Sequence, residues 1–188
     1  MTSILDKSSI RRAALPITVQ QYHRLSELGI ISEQTELLRG VIIEQMTKSP
    51  LHTYVVRLLV KWLESVIDVD SHVRKEEPLT LADSEPEPDV AVVCGTPADY
   101  RELHPATAEL VIEVAITTPE LDRDKADLYA AAGVGEYWIV FPEERAVEIF
   151  RDASPNGYRT SIRHTESNTL LCPSRLPQAS LRMATLFE

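Results

Sequence analysis

The order of residues predicts an α/β protein: a mixed central β-sheet flanked by helices. Three observations carry that expectation. Leu110, Val111, Ile112 and Val114 form a nearly continuous branched apolar run, too short for a core helix and suited to a strand buried on both faces. Two segments opening at Ser49-Pro50 and Thr118-Pro119 carry apolar stripes at helical spacing after an N-cap residue and a first-turn proline. Helical and extended segments also alternate along the chain, which places helices against a sheet rather than in a separate bundle.

Taken in order, residues 1–15 carry Lys7, Arg11 and Arg12 among small polar residues without a sustained period, and are expected to form a loosely held terminus. Residues 16–188 are expected to form one domain, because their length suffices for a full core and no second set of elements follows. From Thr18 the segment VQQYHRLSELG reads as a short peripheral helix ending at Gly29, with Val19, Tyr22 and Leu25 on one side. Residues 36–44 read as two strands around a tight turn at Arg39-Gly40. Ser49-Pro50 opens a helix to about Ile67, whose buried stripe is expected to be Leu51, Val55, Leu59, Trp62 and Val66.

Residues 71–82 and 88–94 follow as strands, separated by an acidic, proline-rich turn at 83–88. Pro97 to Pro105 is a connecting loop before the apolar strand at Leu110. The next helix runs from Pro119 to a stop at Gly133, with Leu121, Leu128, Tyr129 and Ala132 on one stripe. Strands at 136–140 and 146–150 pair across a turn at 142–145, Asn156-Gly157 leads to another at 158–162, and one or two short strands lie near Leu170 and Leu181.

Composition excludes several classes. The net charge of -10 argues against a broad basic surface for nucleic acid, leaving room for a small cleft or a metal that neutralises phosphate charge. Cys94 and Cys172 are too few for a disulfide scaffold, so a reducing cytoplasm is the expected location. No apolar run is long enough to span a bilayer and no signal-peptide core is present, so no membrane association is expected. The nucleophile elbow, the phosphate-cradling loop, the H-E-x-x-H helix and the full dinucleotide fingerprint are all missing, and nucleotide cofactors are not indicated.

Two costly groups remain. Glu113 interrupts the apolar strand, and Lys125 lies inside the apolar stripe of the following helix, so both are expected to point into one region. Asp89 stands at the mouth of the strand Val90-Ala91-Val92-Val93. Taken alone, Asp89 reads as a solvated strand end, and the Glu113–Lys125 pair could serve only the fold. Buried ion pairs often contribute little net stability, however, so the structural role explains the pair poorly. Two carboxylates brought together repel, and a hard divalent cation between them relieves the repulsion. Mg²⁺ suits one or two carboxylates and completes its octahedron with water and substrate oxygens. Such an ion can activate a water toward phosphorus, with Lys125 orienting the water or stabilising charge on the phosphate.

At these residues the sequence resembles a known family. Pro88-Asp89, Glu113-Val114, Lys125 with Tyr129, and Gly133-Val134 with Glu136-Tyr137-Trp138 are similar to the Uma-type restriction endonucleases of the PD-(D/E)XK nuclease superfamily. The resemblance implies a restriction-endonuclease-like core, Asp89 and Glu113 as ligands of Mg²⁺ or Mn²⁺, and Lys125 as the catalytic lysine. Glu36 and His52 match further positions shared by the family. For Glu36 two readings stand open, a third acid near the metal or an exposed strand residue. A histidine placed like His52 is more often a core or capping residue than a catalyst. Two departures are visible: Ala115 occupies the superfamily's lysine position, so Lys125 must reach in from the helix, and Gly135 stands where the family usually has proline.

The expected activity is Mg²⁺-dependent hydrolysis of phosphodiester bonds in DNA by a two-fold homodimer. A nuclease-fold binding or accessory module, and a nuclease acting on RNA or damaged DNA, are the alternatives. The acidic surface and the lack of a recognisable DNA-reading element favour the module.

Overall fold

The computed structural model describes residues 9, 13–117, 119–177 and 179–188. The loosely held terminus expected at 1–15 falls mostly outside these residues, as does the Thr118 cap.

Helix α1 (Val19–Glu27) opens on Thr18, whose side chain accepts from the Gln21 N–H while Gln21 reciprocates to the Thr18 N–H, a capping box. Strands β1 (Thr35–Leu38) and β2 (Val41–Glu44) pair antiparallel in register Leu38↔Val41. Both turn residues have positive φ, Arg39 at 48° and Gly40 at 77°, as a two-residue hairpin requires. Helix α2 (Pro50–Glu64) is capped by Ser49, and β3 (Ser71–Lys75) follows it. Then come β4 (Val90–Cys94), β5 (Leu110–Val114), α3 (Pro119–Ala131), β6 (Glu136–Phe141), β7 (Ala146–Ser154) and β8 (Gly157–His164). Short strands β9 (Leu170–Leu171) and β10 (Leu181–Arg182) close the chain as their own antiparallel pair.

The six strands β3 to β8 form one sheet in sequence order, parallel only between β5 and β6. Those two strands are joined by α3, the connection that parallel neighbours need. The sheet is thus mixed and flanked by helices, as expected. Its central strands are buried throughout, and alternate residues feed two cores. Leu110, Ile112 and Val114 pack with Val55, Val56, Leu59 and Leu63 of α2. Val111 packs with Ala126, Leu128 and Tyr129 of α3. Glu113 shares the parity of Val111, so the pleat turns its carboxylate toward α3.

Helix α3 ends in a Schellman arrangement. The Val134 N–H donates to Tyr129 O and the Gly133 N–H to Ala130 O, with Gly133 at φ 75°. At the start of β6, Glu136 is buried and accepts from Trp138 Nε1 at 2.6 Å, Arg151 Nη2 at 2.9 Å and the Ser174 N–H at 2.7 Å. One carboxylate therefore ties the C-terminal segment to the sheet.

Five details depart from the sequence reading. Helix α2, expected to run to about Ile67, ends at Glu64, so Val66 of the expected stripe lies beyond it. The strand expected over 71–82 stops at Lys75, because Glu76 adopts a positive φ of 53° and turns out of the ladder. The strand expected to begin at 88 begins at Val90, leaving Asp89 just outside it. The acidic 83–88 stretch is largely buried rather than a free turn: Glu85 and Leu37 of β1 exchange backbone hydrogen bonds at 2.7 and 3.2 Å, which docks the hairpin beside the sheet. Leu51 is 41% exposed and drops out of the stripe, while His52 beside it is the buried residue of that turn.

Candidate active site

The β4–β5 register sets the site. Val90 pairs with Ile112, so Asp89 lies opposite Glu113 one step beyond the last paired residues. At that step the backbone ladder is replaced by an exchange through side chains. The Asp89 N–H donates to Glu113 Oε2 at 3.1 Å, and the Val114 N–H donates to Asp89 Oδ2 at 2.7 Å. Each carboxylate is thereby held by the other strand's backbone, and both are buried.

Lys125 arrives from α3 and is only 6% exposed. Its ammonium donates to Glu113 Oε1 at 3.2 Å and pairs with Glu36 Oε1 at 3.0 Å. The lysine thus reaches Glu113 and Glu36, with no hydrogen bond or ion pair to Asp89 among the described residues. Glu36 is 4% exposed, which removes the reading of it as an exposed strand residue. Its other oxygen accepts from the Glu87 N–H at 3.3 Å. Docking of the β1–β2 hairpin is what brings this acid in.

His52 sits in the first turn of α2, where Ser49 Oγ accepts from its N–H and acts as the cap. The imidazole is free of capping duty and places Nε2 3.0 Å from Asp89 Oδ2. A cleft of about 270 Å³ opens over the group, and its walls include Glu36, His52, Asp89, Glu113 and Lys125, all five site residues expected from the sequence.

Two participants were missed. Tyr129 hydroxyl donates to Glu113 Oε1 at 3.0 Å, so that oxygen receives two protein donors. Asp122, buried and on the cleft wall, precedes Lys125 by three residues on the same helix. The spacing was visible, because residues three apart on a helix share a face.

Four acids, Glu36, Asp89, Glu113 and Asp122, thus line one cleft with a single buried ammonium, which pairs directly with Glu36 and Glu113. Burial pushes the Glu113 carboxyl up to about 8; Lys125 pulls it back, while Asp89 and Asp122 push it further. Burial likewise lifts Asp122 to about 6 against the pull of Lys125. At Lys125 burial opposes the charge, but Glu113, Glu36 and Asp122 outweigh it and hold the ammonium protonated. The Tyr129 hydroxyl is pushed well above its ordinary range by burial and by Glu113, and it stays a donor. A cluster that lifts its own acids in this way is short of positive charge. Glu113 Oε2 accepts one protein donor, and each carboxylate oxygen has room for two. Hard oxygen donors with spare acceptor capacity suit a divalent cation such as Mg²⁺.

Comparison with known proteins gives the class first. The fold is that of a crystal structure titled "a putative nuclease belonging to DUF820 from Anabaena variabilis ATCC 29413", with a TM-score of 0.79 at 19% identity, covering 92% of this chain and 98% of that one. The chain itself belongs to the Uma2 family, described as "Putative restriction endonuclease", whose model matches residues 19–184. No curated protein matches the sequence. Among the described residues no helix is long and apolar enough to cross a membrane.

Proposed function

We propose that residues 16–188 form a single metal-dependent endonuclease domain that hydrolyses phosphodiester bonds in DNA, with Asp89 and Glu113 holding Mg²⁺ or Mn²⁺ and Lys125 assisting the attacking water. The observation that carries the reading is the interlocked Asp89–Glu113 pair with the Lys125 ammonium 3.2 Å from Glu113 Oε1. A cation bound between the two acids would neutralise phosphate charge and make a water easier to deprotonate. Lys125, anchored by Glu36 and Glu113, holds a proton-bearing ammonium at the cleft wall, where it orients a water or meets charge growing on phosphate oxygens. Tyr129 fixes Glu113 in its rotamer and His52 steadies Asp89, so that both acids are preorganised. Cutting two strands favours paired sites, and a two-fold homodimer is the assembly we expect.

The test is cleavage of a panel of double-stranded, single-stranded and RNA substrates with Mg²⁺ and with Mn²⁺. Activity should vanish in Asp89→Asn, Glu113→Gln and Lys125→Met while the fold persists by circular dichroism. Cleavage unchanged in all three variants would overturn the assignment. Light scattering of the wild type checks the dimer.

A further inference from the structure

An ammonium carries three N–H donors. At Lys125 one goes to Glu113 Oε1 at 3.2 Å and one to Glu36 Oε1 at 3.0 Å, so among the described residues the third has no protein partner. Asp122 is its complement. The residue is only 8% exposed, yet its carboxylate makes no hydrogen bond and no ion pair among the described residues. Neither oxygen is sealed inside the fold, and Asp122 lines the cleft, so the cleft is where the carboxylate keeps its access. The other three acids are all engaged. Glu36 holds Lys125 and the Glu87 N–H, Asp89 holds the Val114 N–H and His52, and Glu113 holds the Asp89 N–H, Lys125 and Tyr129.

Asp122 and Lys125 stand three residues apart on one face of α3, a spacing that sets Cβ atoms about 5–6 Å apart. Their charges feel one another: Lys125 pulls the Asp122 carboxyl down against its burial, and Asp122 helps to keep the ammonium protonated. They do not close into an ion pair, although Lys125 forms one with each of two acids from other strands. A donor and an acceptor left open on one face, attracted but not in contact, are what a single bridging water joins.

We propose that Asp122 is the proton acceptor of the hydrolysis, taking a proton from an attacking water held by the third N–H of Lys125. The inference deepens the nuclease reading and rests on it. In the step, one O–H bond of the water breaks and its proton passes to an Asp122 carboxylate oxygen. The water oxygen uses the freed electron pair to form the new bond to phosphorus. The bond from phosphorus to the leaving oxygen breaks with its electron pair, and that oxygen takes a proton from solvent water. Lys125 cannot accept the first proton, because its acid neighbours keep the ammonium protonated. Burial lifts the Asp122 carboxyl to about 6, which makes it a stronger base than an ordinary aspartate while it stays mostly ionised at neutral pH. The charged and titratable groups that face it are Lys125 on its own helix, Glu113 on β5, Asp89 before β4, Glu36 on β1 and His52 on α2.

The test is steady-state cleavage at saturating Mg²⁺ from pH 5 to 9, on whichever substrate of the panel the wild type cuts, with Mg²⁺ calorimetry on the same full-length proteins. In Asp122→Asn kcat should fall about 100-fold or more with KM little changed. The limb on which the wild-type rate rises with pH should disappear in that variant, and Asp122→Glu should restore a rising limb. Mg²⁺ affinity should be the same in Asp122→Asn as in the wild type. Carbon-13 NMR of the metal-free chain should find an aspartate carboxyl, missing from Asp122→Asn, that titrates near 6. A wild-type rate and pH profile in Asp122→Asn overturns the proposal and leaves the nuclease reading standing. Lost Mg²⁺ affinity in Asp122→Asn makes the residue a cation ligand and overturns it as well. Absence of cleavage by the wild type on every substrate removes the nuclease reading, and this step with it.

Discussion

Replacing Glu113 by glutamine should change how stability depends on pH. The carboxyl titrates near 4.5 when the chain is unfolded and is raised to about 8 by burial in the fold. Between those values the folded protein binds the extra proton, so the stabilisation is complete below pH 4.5 and is lost as pH rises toward 8. At about 1.4 kcal/mol per unit, the full window is worth roughly 5 kcal/mol. Asp122 contributes in the same direction over 3.8 to about 6, so the stretch above pH 6 isolates Glu113. Over the remaining two units the expected loss is about 3 kcal/mol. Denaturant unfolding of metal-free protein from pH 5 to 9 gives the curve. Glu113→Gln keeps the shape, cannot ionise, and should flatten the difference above pH 6. Excess Mg²⁺ should also flatten the wild-type curve, because a bound cation favours the ionised acid. An identical slope in wild type and variant would refute the reasoning.

Lys125→Met leaves Glu36 and Glu113 without their shared partner, and breaking a buried pair in this way costs about 3–5 kcal/mol. Chemical denaturation at pH 9, above the value of about 8 to which Glu113 is raised, should show that loss, and it should shrink at pH 5, where Glu113 is protonated in the fold. Tyr129→Phe removes one donor to Glu113 Oε1, with an expected cost of about 1–3 kcal/mol in melting and weaker Mg²⁺ binding by calorimetry, while Lys125 stays paired. Glu136→Gln discharges the acid that holds Arg151 and the Ser174 N–H; stability should fall by about 1–3 kcal/mol with cation binding unchanged, so a change in metal affinity would contradict the separation of the two sites.

The core of the site was legible because its residues break local rules. A glutamate in an apolar strand and a lysine in an apolar helical stripe announce themselves, and the pleat and the helical period then bring them together. The hairpin turn at Arg39-Gly40 and the helix stop at Gly133 were equally readable, since both need positive φ. What escaped depends on contacts distant in sequence. The burial of Glu36 follows from the pairing of Leu37 with Glu85, which no local pattern encodes. The early end of β3 follows from the conformation of Glu76, a residue whose type does not ask for it. Asp122 carried a usable signal in its spacing from Lys125, and Tyr129 showed as an apolar stripe residue and as part of the family motif with Lys125, its hydroxyl bond to Glu113 being hidden until α3 was seated on the sheet.

The exchange of side-chain and backbone bonds between Asp89 and Glu113 also makes the site a reporter of assembly. A slip of β4 by one residue along β5 would turn Asp89 to the opposite face of the sheet and leave Glu113 facing a different neighbour. Such a chain could stay compact, with near-native helix content, and yet bind no ion between these acids. On the proposed metal reading, titration with a divalent cation would count correctly aligned molecules in a preparation, which spectroscopy of secondary structure would not distinguish. Ion uptake regained during refolding would time the moment at which these two central strands find their alignment.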